Sequence, residues 1–257
     1  CVEGISTMAA VAALTQHGRV GCMMFCVPFR NPALLAKAVV SIDHISGGRV
    51  ELGIGAGWYE EEFTEFGYTF PSLKERVEMR EEALQILHSL FHEPVTTFKG
   101  KHFRLENAVC APKPLQKHLP IWIGGRGAKV TPRVAAKYAD GFNTPYLDPG
   151  EYKLRLDELD RACEKVGRDP ATLTRSINVH FLMGASAAAI QRGRERFAAM
   201  PDSHRQGALL GGKQEAIDRI GEYQAVGAQG LNIAFRPPVD WDSYQLFLQE
   251  VAPVFTR

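Results

Sequence analysis

No apolar stretch in this 257-residue chain reaches the ~18 residues that a membrane-spanning helix needs. Charge of one sign is equally scarce: 30 Lys and Arg face 29 Asp and Glu, a formal net of +1. With that balance, neither nucleic acid nor an anionic membrane surface is an expected partner. Five cysteines without a CxxC pair supply no zinc or redox motif, so Cys1, Cys22, Cys26, Cys110 and Cys163 read as reduced thiols. Glu3 stands where a signal peptide is basic, and a cytoplasmic protein is the expectation. The P-loop pattern is missing as well. What is present is 45% hydrophobic and 23% charged residues, a globular composition that excludes disordered and fibrous classes.

Apolar spacing predicts a helix over Val2 to Gln16, then a strand over Arg19 to Phe25. Asn31 and Pro32 supply an N-cap and a first-turn proline for a helix that Gly47 and Gly48 stop. Val50 to Gly55 is the next strand, and Ser72 with Glu75 spells a capping box for the helix after it. From Pro94 to Leu119 the pattern becomes short β-like pieces and a proline-rich stretch, which reads as an insertion over about 94–119. Further strands follow at Ile121, Gly141, Arg175 and Leu231, each separated from the next by helical segments.

Strands alternating with helices predict an α/β fold with a parallel sheet, and so many units favour a TIM-type (β/α) barrel as a single domain over 1–257. Six strands are legible where a closed barrel has about eight. The chain also starts on Cys rather than Met. The expectation is an N-terminally incomplete barrel lacking its first two strands.

Two glycine motifs follow predicted strands. In GIGAGW the third position of a dinucleotide fingerprint falls on Trp58, so Gly53, Gly55 and Gly57 read as a tight turn at a strand's carboxyl end. In IGGRG a strand runs into bare backbone and then a helix, a pattern that suits phosphate, with Arg126 and Lys129 nearby. A flexible turn with solvated cations is the alternative. His88 and His92 have chelating spacing but no acidic or cysteine partner, which favours a solvated helix end. Glu60, Glu61 and Glu62 could supply an acid or base at the barrel mouth, although a solvated loop is the default.

Taken together, CVEGISTMAAVAALTQHGRVG, RNPALLAKAVVSIDHISGGRVELGIGAGWYEEEF, PLQKHLPIWIGG and AAKYADGFN resemble the luciferase-like monooxygenase superfamily, in particular its branch dependent on the deazaflavin F420. The resemblance implies a (β/α)8 barrel with an insertion after the fourth unit. It implies an oxidoreductase moving a hydride between F420 and a small organic substrate, working as a homodimer. The alternatives are a monooxygenase using reduced FMN and oxygen, and a catalytically silent flavin-binding protein.

By the same resemblance, Cys22, Met23 and Met24 match the strand end whose bulge, with a non-prolyl cis peptide, backs the flavin ring. Without it, the two methionines read as barrel core. Gly55, Gly57, Trp58 and Glu61 match the segment lining the ring and substrate side, with Trp58 and Glu61 as the candidate catalytic pair. Gly124, Gly125 and Arg126 match the phosphate loop, with Asn143 and Thr144 beside it. No metal is expected.

Overall fold

A computed structural model describes residues 2–201 and 205–256; Cys1 lies outside them. The chain divides into two compact units, Cys1–Gly124 with Lys137–Gly141, and Gly125–Ala136 with Phe142–Arg257.

In the first unit, helix α1 (Gly4–Leu14) starts on Glu3, whose carboxylate accepts the amides of Ile5 and Ser6 at 3.0 and 2.8 Å. Strand β1 (Val20–Cys26) lies parallel to β2 (Val50–Gly55). Between them runs α2 (Pro32–Ser46), capped by Asn31 as expected and closed by Gly47 at φ 67°. The Arg49 guanidinium gathers the backbone carbonyls of Ala12, Thr15 and Gly18 at 2.7–2.9 Å and so ties the end of α1 to the start of β2.

Glu60–Glu65 forms a short helix, α3, and α4 (Leu73–His92) follows with the capping box in place. The expected insertion contains an antiparallel hairpin, β3 (Thr96–Lys99) and β4 (Arg104–Ala108). Its proline-rich tail is clamped by buried Asp43, which accepts the amides of Leu115 and Gln116 and the Gln116 side chain. Strand β5 (Ile121–Gly124) then pairs parallel with β2. Leu52, Ile54, Ile123, Val39 and Leu87 are sealed from solvent in this unit's core.

The second unit takes in most of helix α5 (Val130–Tyr138) and of β6 (Gly141–Pro145), then α6 (Pro149–Lys165) and the long β7 (Thr174–Met183). After α7 (Ala187–Ala198) come β8 (Ala208–Gly211), α8 (Lys213–Ala225), β9 (Gly230–Ala234) and α9 (Trp241–Leu246). Both β8 and β9 pair parallel with β7. The Tyr146 amide bonds the Asn178 carbonyl, and the His180 amide bonds that of Gly207, so β8 continues the edge of β7 on which β6 ends. Strand β9 takes the opposite edge, where the Gln229 amide meets the Arg175 carbonyl.

The α/β class with parallel strands is as expected. The described residues hold seven strands of the parallel type rather than six, the addition being β8. It is four residues long and flanked by Gly207 and Gly212, too short to show a period. No described helix is long and apolar enough to cross a membrane.

The hairpin hangs on one carboxylate. Glu82 accepts the amides of Lys101, His102 and Phe103 at 2.7–3.0 Å, while Glu78 pairs with Lys101 and His102. Burial pushes the Glu82 carboxyl up, but the three amides bring it below its ordinary value on balance; Lys101, then His102, bring Glu78 down to about 2. Both acids therefore favour the folded state above pH 4.5, and that contribution disappears as pH falls toward 2. Glu82→Ala is expected to cost about 1–2 kcal/mol and to lower Tm by about 2–6 °C. Thermal melts from neutral to acid pH check both: the gap between parent and variant closes on acidification.

Candidate functional site

At the carboxyl ends of β1 and β2, glycine sets the geometry. A Cβ on Gly53 would stand 2.2 Å from the Cys22 carbonyl oxygen and 2.7 Å from Met24 Sδ. On Gly55 it would meet Met24 Cβ at 3.1 Å, and on Gly57 it would meet Cys26 Sγ at 2.6 Å and the Phe63 ring at 3.0 Å. Gly57 also holds φ 78°, where a side chain is strained. The register between the strands shifts between Cys22 and Phe25, and the Met23–Met24 peptide is cis, at the position the resemblance implied for both features.

The result is a small apolar ledge. Met23 keeps 40% of its surface exposed, whereas Cys22 and Met24 are half-buried. Burial pushes the Cys22 thiol above its ordinary value and that of Cys26 to about 11, so both sulfurs stay neutral at physiological pH. Trp58 is 75% exposed and packs its ring 5.3 Å from that of Tyr59. Glu61 lies with Glu60 and Glu62 in the exposed first turn of α3, a helix where a loop was the default. A hydrogen bond to Glu61 raises the Tyr59 phenol.

The second glycine motif leads from β5 into α5. Past Gly124 the chain turns at Gly125, whose φ is 148° and whose amide bonds the Asn143 carbonyl at 3.1 Å. Thr131 Oγ1 of the first turn of α5 lies 3.3 Å from a Cβ built on Gly125 and 3.1 Å from one on Gly127. Arg126 is half-buried and donates to Gln206 Oε1. Buried Asn143 donates to Ser176 Oγ at 2.9 Å and to Asn178 Oδ1 at 3.0 Å. Thr144 is sealed from solvent, and its hydroxyl has no hydrogen-bond partner among the described residues. Backbone amides at a helix start, a nearby guanidinium and an unpaired hydroxyl suit the phosphate of a cofactor.

Several residues here had no signal in the sequence. Gln206 steers Arg126 from 80 positions away. His180, buried on β7, stacks on Tyr146 with ring centroids 4.0 Å apart and planes 6° from parallel. Tyr146 sits at φ 54°, which a Thr-Pro-Tyr sequence does not announce. The His88 and His92 rings face each other at 4.5 Å, yet among the described residues no group of three potential metal ligands forms.

Comparison with known proteins adds three findings. The family model for luciferase-like monooxygenase matches residues 2–228. The F420-dependent glucose-6-phosphate dehydrogenase of Kineococcus radiotolerans is 34% identical over 173 residues, 66% of this chain and 50% of that protein. The FMNH2-dependent dimethylsulfone monooxygenase of Pseudomonas putida is 26% identical over 157 residues, 61% of this chain and 43% of that one. The chain thus spans about half the length of the curated relatives it matches. A solved F420-dependent secondary alcohol dehydrogenase, in complex with an F420–acetone adduct, superposes with a TM-score of 0.87 at 20% identity. That match covers 100% of this chain and 85% of the other, and at such identity it shows a shared α/β fold alone.

The glycine contacts rank three substitutions. Gly53→Ala drives a methyl into backbone and is expected to cost the most, above about 2 kcal/mol. Gly57→Ala meets a sulfur and a strained φ, for about 1–2 kcal/mol. Gly55→Ala is the mildest. Urea unfolding of the three variants checks the order.

Proposed function

Because the chain belongs to the luciferase-like monooxygenase family, we propose that it is an oxidoreductase transferring a hydride between F420 and a small organic molecule. The observation that carries the cofactor choice is the 34% identity to an F420-dependent dehydrogenase, against 26% to an FMNH2-dependent monooxygenase. The chemistry of each place is compatible with part of such a cofactor: the apolar ledge with a flat ring, the glycine loop with a phosphate.

In this reading, Cys22, Met23 and Met24 back the ring. Gly124, Gly125 and Arg126 form the phosphate loop, in which the amides that follow Gly125, together with the Arg126 guanidinium and the Thr144 hydroxyl, hold the phosphate; Asn143 fixes the loop through the Gly125 amide. Gly55 and Gly57 leave the ledge clear, and Trp58 covers the substrate. Glu61, exposed at the head of α3, takes up or returns the proton that accompanies the hydride. Bound F420 supplies the two-electron chemistry, and the chain's own work is to orient the partners and exclude water. A homodimer in the cytoplasm, acting on small molecules, completes the proposal.

Parallel spectral titrations and steady-state assays with F420 and FMN test it. Binding of F420 and oxygen-independent turnover with its reduced form are expected; turnover that requires FMN and oxygen contradicts the reading. Gly125→Val is expected to weaken F420 at least about tenfold, and Arg126→Ala by about 1 kcal/mol. Since Gly125 stands at φ 148°, the valine also lowers Tm, and its isotherm is taken below the onset of melting.

A further inference from the structure

A concavity of about 740 Å³ lies wholly within the second unit, between α7 and the segment that joins β9 to α9. None of the residues assigned above lines it. Its walls are tied together. The Ala185 amide donates to Ser243 Oγ at 3.0 Å, Arg192 pairs with Asp240 at 3.1 Å, and Arg196 reaches the carbonyls of Arg236 and Pro238 at 3.3 and 3.5 Å. Helix α7 can press this close because a Cβ on Gly193 would fall 2.0 Å from the Leu182 carbonyl oxygen.

The lining joins two chemistries. Phe181, Phe235 and Trp241 contribute aromatic surface; Phe181 meets Phe235 with centroids 5.0 Å apart, and Trp241 remains 65% exposed. Three arginines, 192, 196 and 236, face two carboxylates, Asp240 and Asp242. Both Asp240 oxygens are already engaged, one by the Ser243 amide and one by Arg192. Arg196 uses one N–H of each terminal nitrogen on a neutral carbonyl and keeps others for a ligand, and among the described residues no hydrogen bond or ion pair engages the Arg236 side chain. The cavity therefore carries one positive charge in excess beside exposed aromatic faces, and its volume suits a drug-sized molecule.

We infer that this cavity binds an organic anion with a flat apolar body, the anionic head on Arg236 and Arg196 and the body against Phe235 and Trp241. Guanidinium groups favour such heads through bidentate, charge-assisted bonds, and the rings supply area at little entropic cost. The inference stands apart from the F420 reading, and its test needs no cofactor.

The probes are anilinonaphthalene sulfonate and its uncharged counterpart phenylnaphthylamine, titrated into the intact protein while fluorescence is followed. Saturable binding of the sulfonate is expected, with tryptophan-to-dye energy transfer that Trp241→Phe reduces. Arg236→Ala should weaken the sulfonate about tenfold and leave the neutral dye unchanged, with Arg236→Lys in between. Added salt should weaken the sulfonate alone. Melting curves confirm that each variant is folded. The inference is overturned by an absence of sulfonate binding, by equal affinity for the two dyes, by sulfonate affinity unaffected in Arg236→Ala, or by energy transfer undiminished in Trp241→Phe.

Discussion

Between the Cys22 carbonyl oxygen and the α-carbon of Gly53 there is no room for a side chain, since a Cβ there would sit 2.2 Å from the oxygen. That close approach governs the carboxyl end of β1. It brings the Met24 thioether over bare backbone; the requirement repeats at Gly57 in the following turn and, more mildly, at Gly55. The ledge of Cys22, Met23 and Met24 thus takes its shape from three missing side chains on β2 and its turn. A fold that arranges such a surface by omission has few ways to tolerate replacement.

The second unit relies on polar contacts instead. Asn143 is buried, and its amide group is satisfied by Ser176 and Asn178 on the neighbouring strand, so the end of β6 is held by hydrogen bonds rather than by packing alone. The Gly125 amide reads out that position by bonding the Asn143 carbonyl. Arg126, held by Gln206, is a cation whose direction is fixed before any anion arrives, which reduces the ordering cost of binding one.

Local signals were legible in the sequence wherever a feature is completed within a few residues. Asn31 capping α2, Ser72 with Glu75 opening α4, and Gly47 closing α2 all use partners no more than four positions away. Strand β8 escaped because four residues between glycines carry no period, and α3 because three consecutive glutamates read as well as a solvated loop. Long-range partners left no trace. Asp43, which the sequence offers only as one residue of SIDHISGG, becomes the buried acceptor for Leu115 and Gln116 some 72 positions on. The glycines of GIGAGW were legible as a turn, but their reason, the opposing strand, exists only once β1 and β2 pair.

The central claim is that the amides following Gly125, set by the turn there, receive the phosphate of a deazaflavin. A crystal structure of the protein with F420 bound tests it most directly. The account predicts the phosphate within hydrogen-bonding distance of the backbone amides of Arg126 and Gly127, with the Arg126 guanidinium beside it. F420 bound with its phosphate elsewhere, and this loop touching no part of the cofactor, would contradict it.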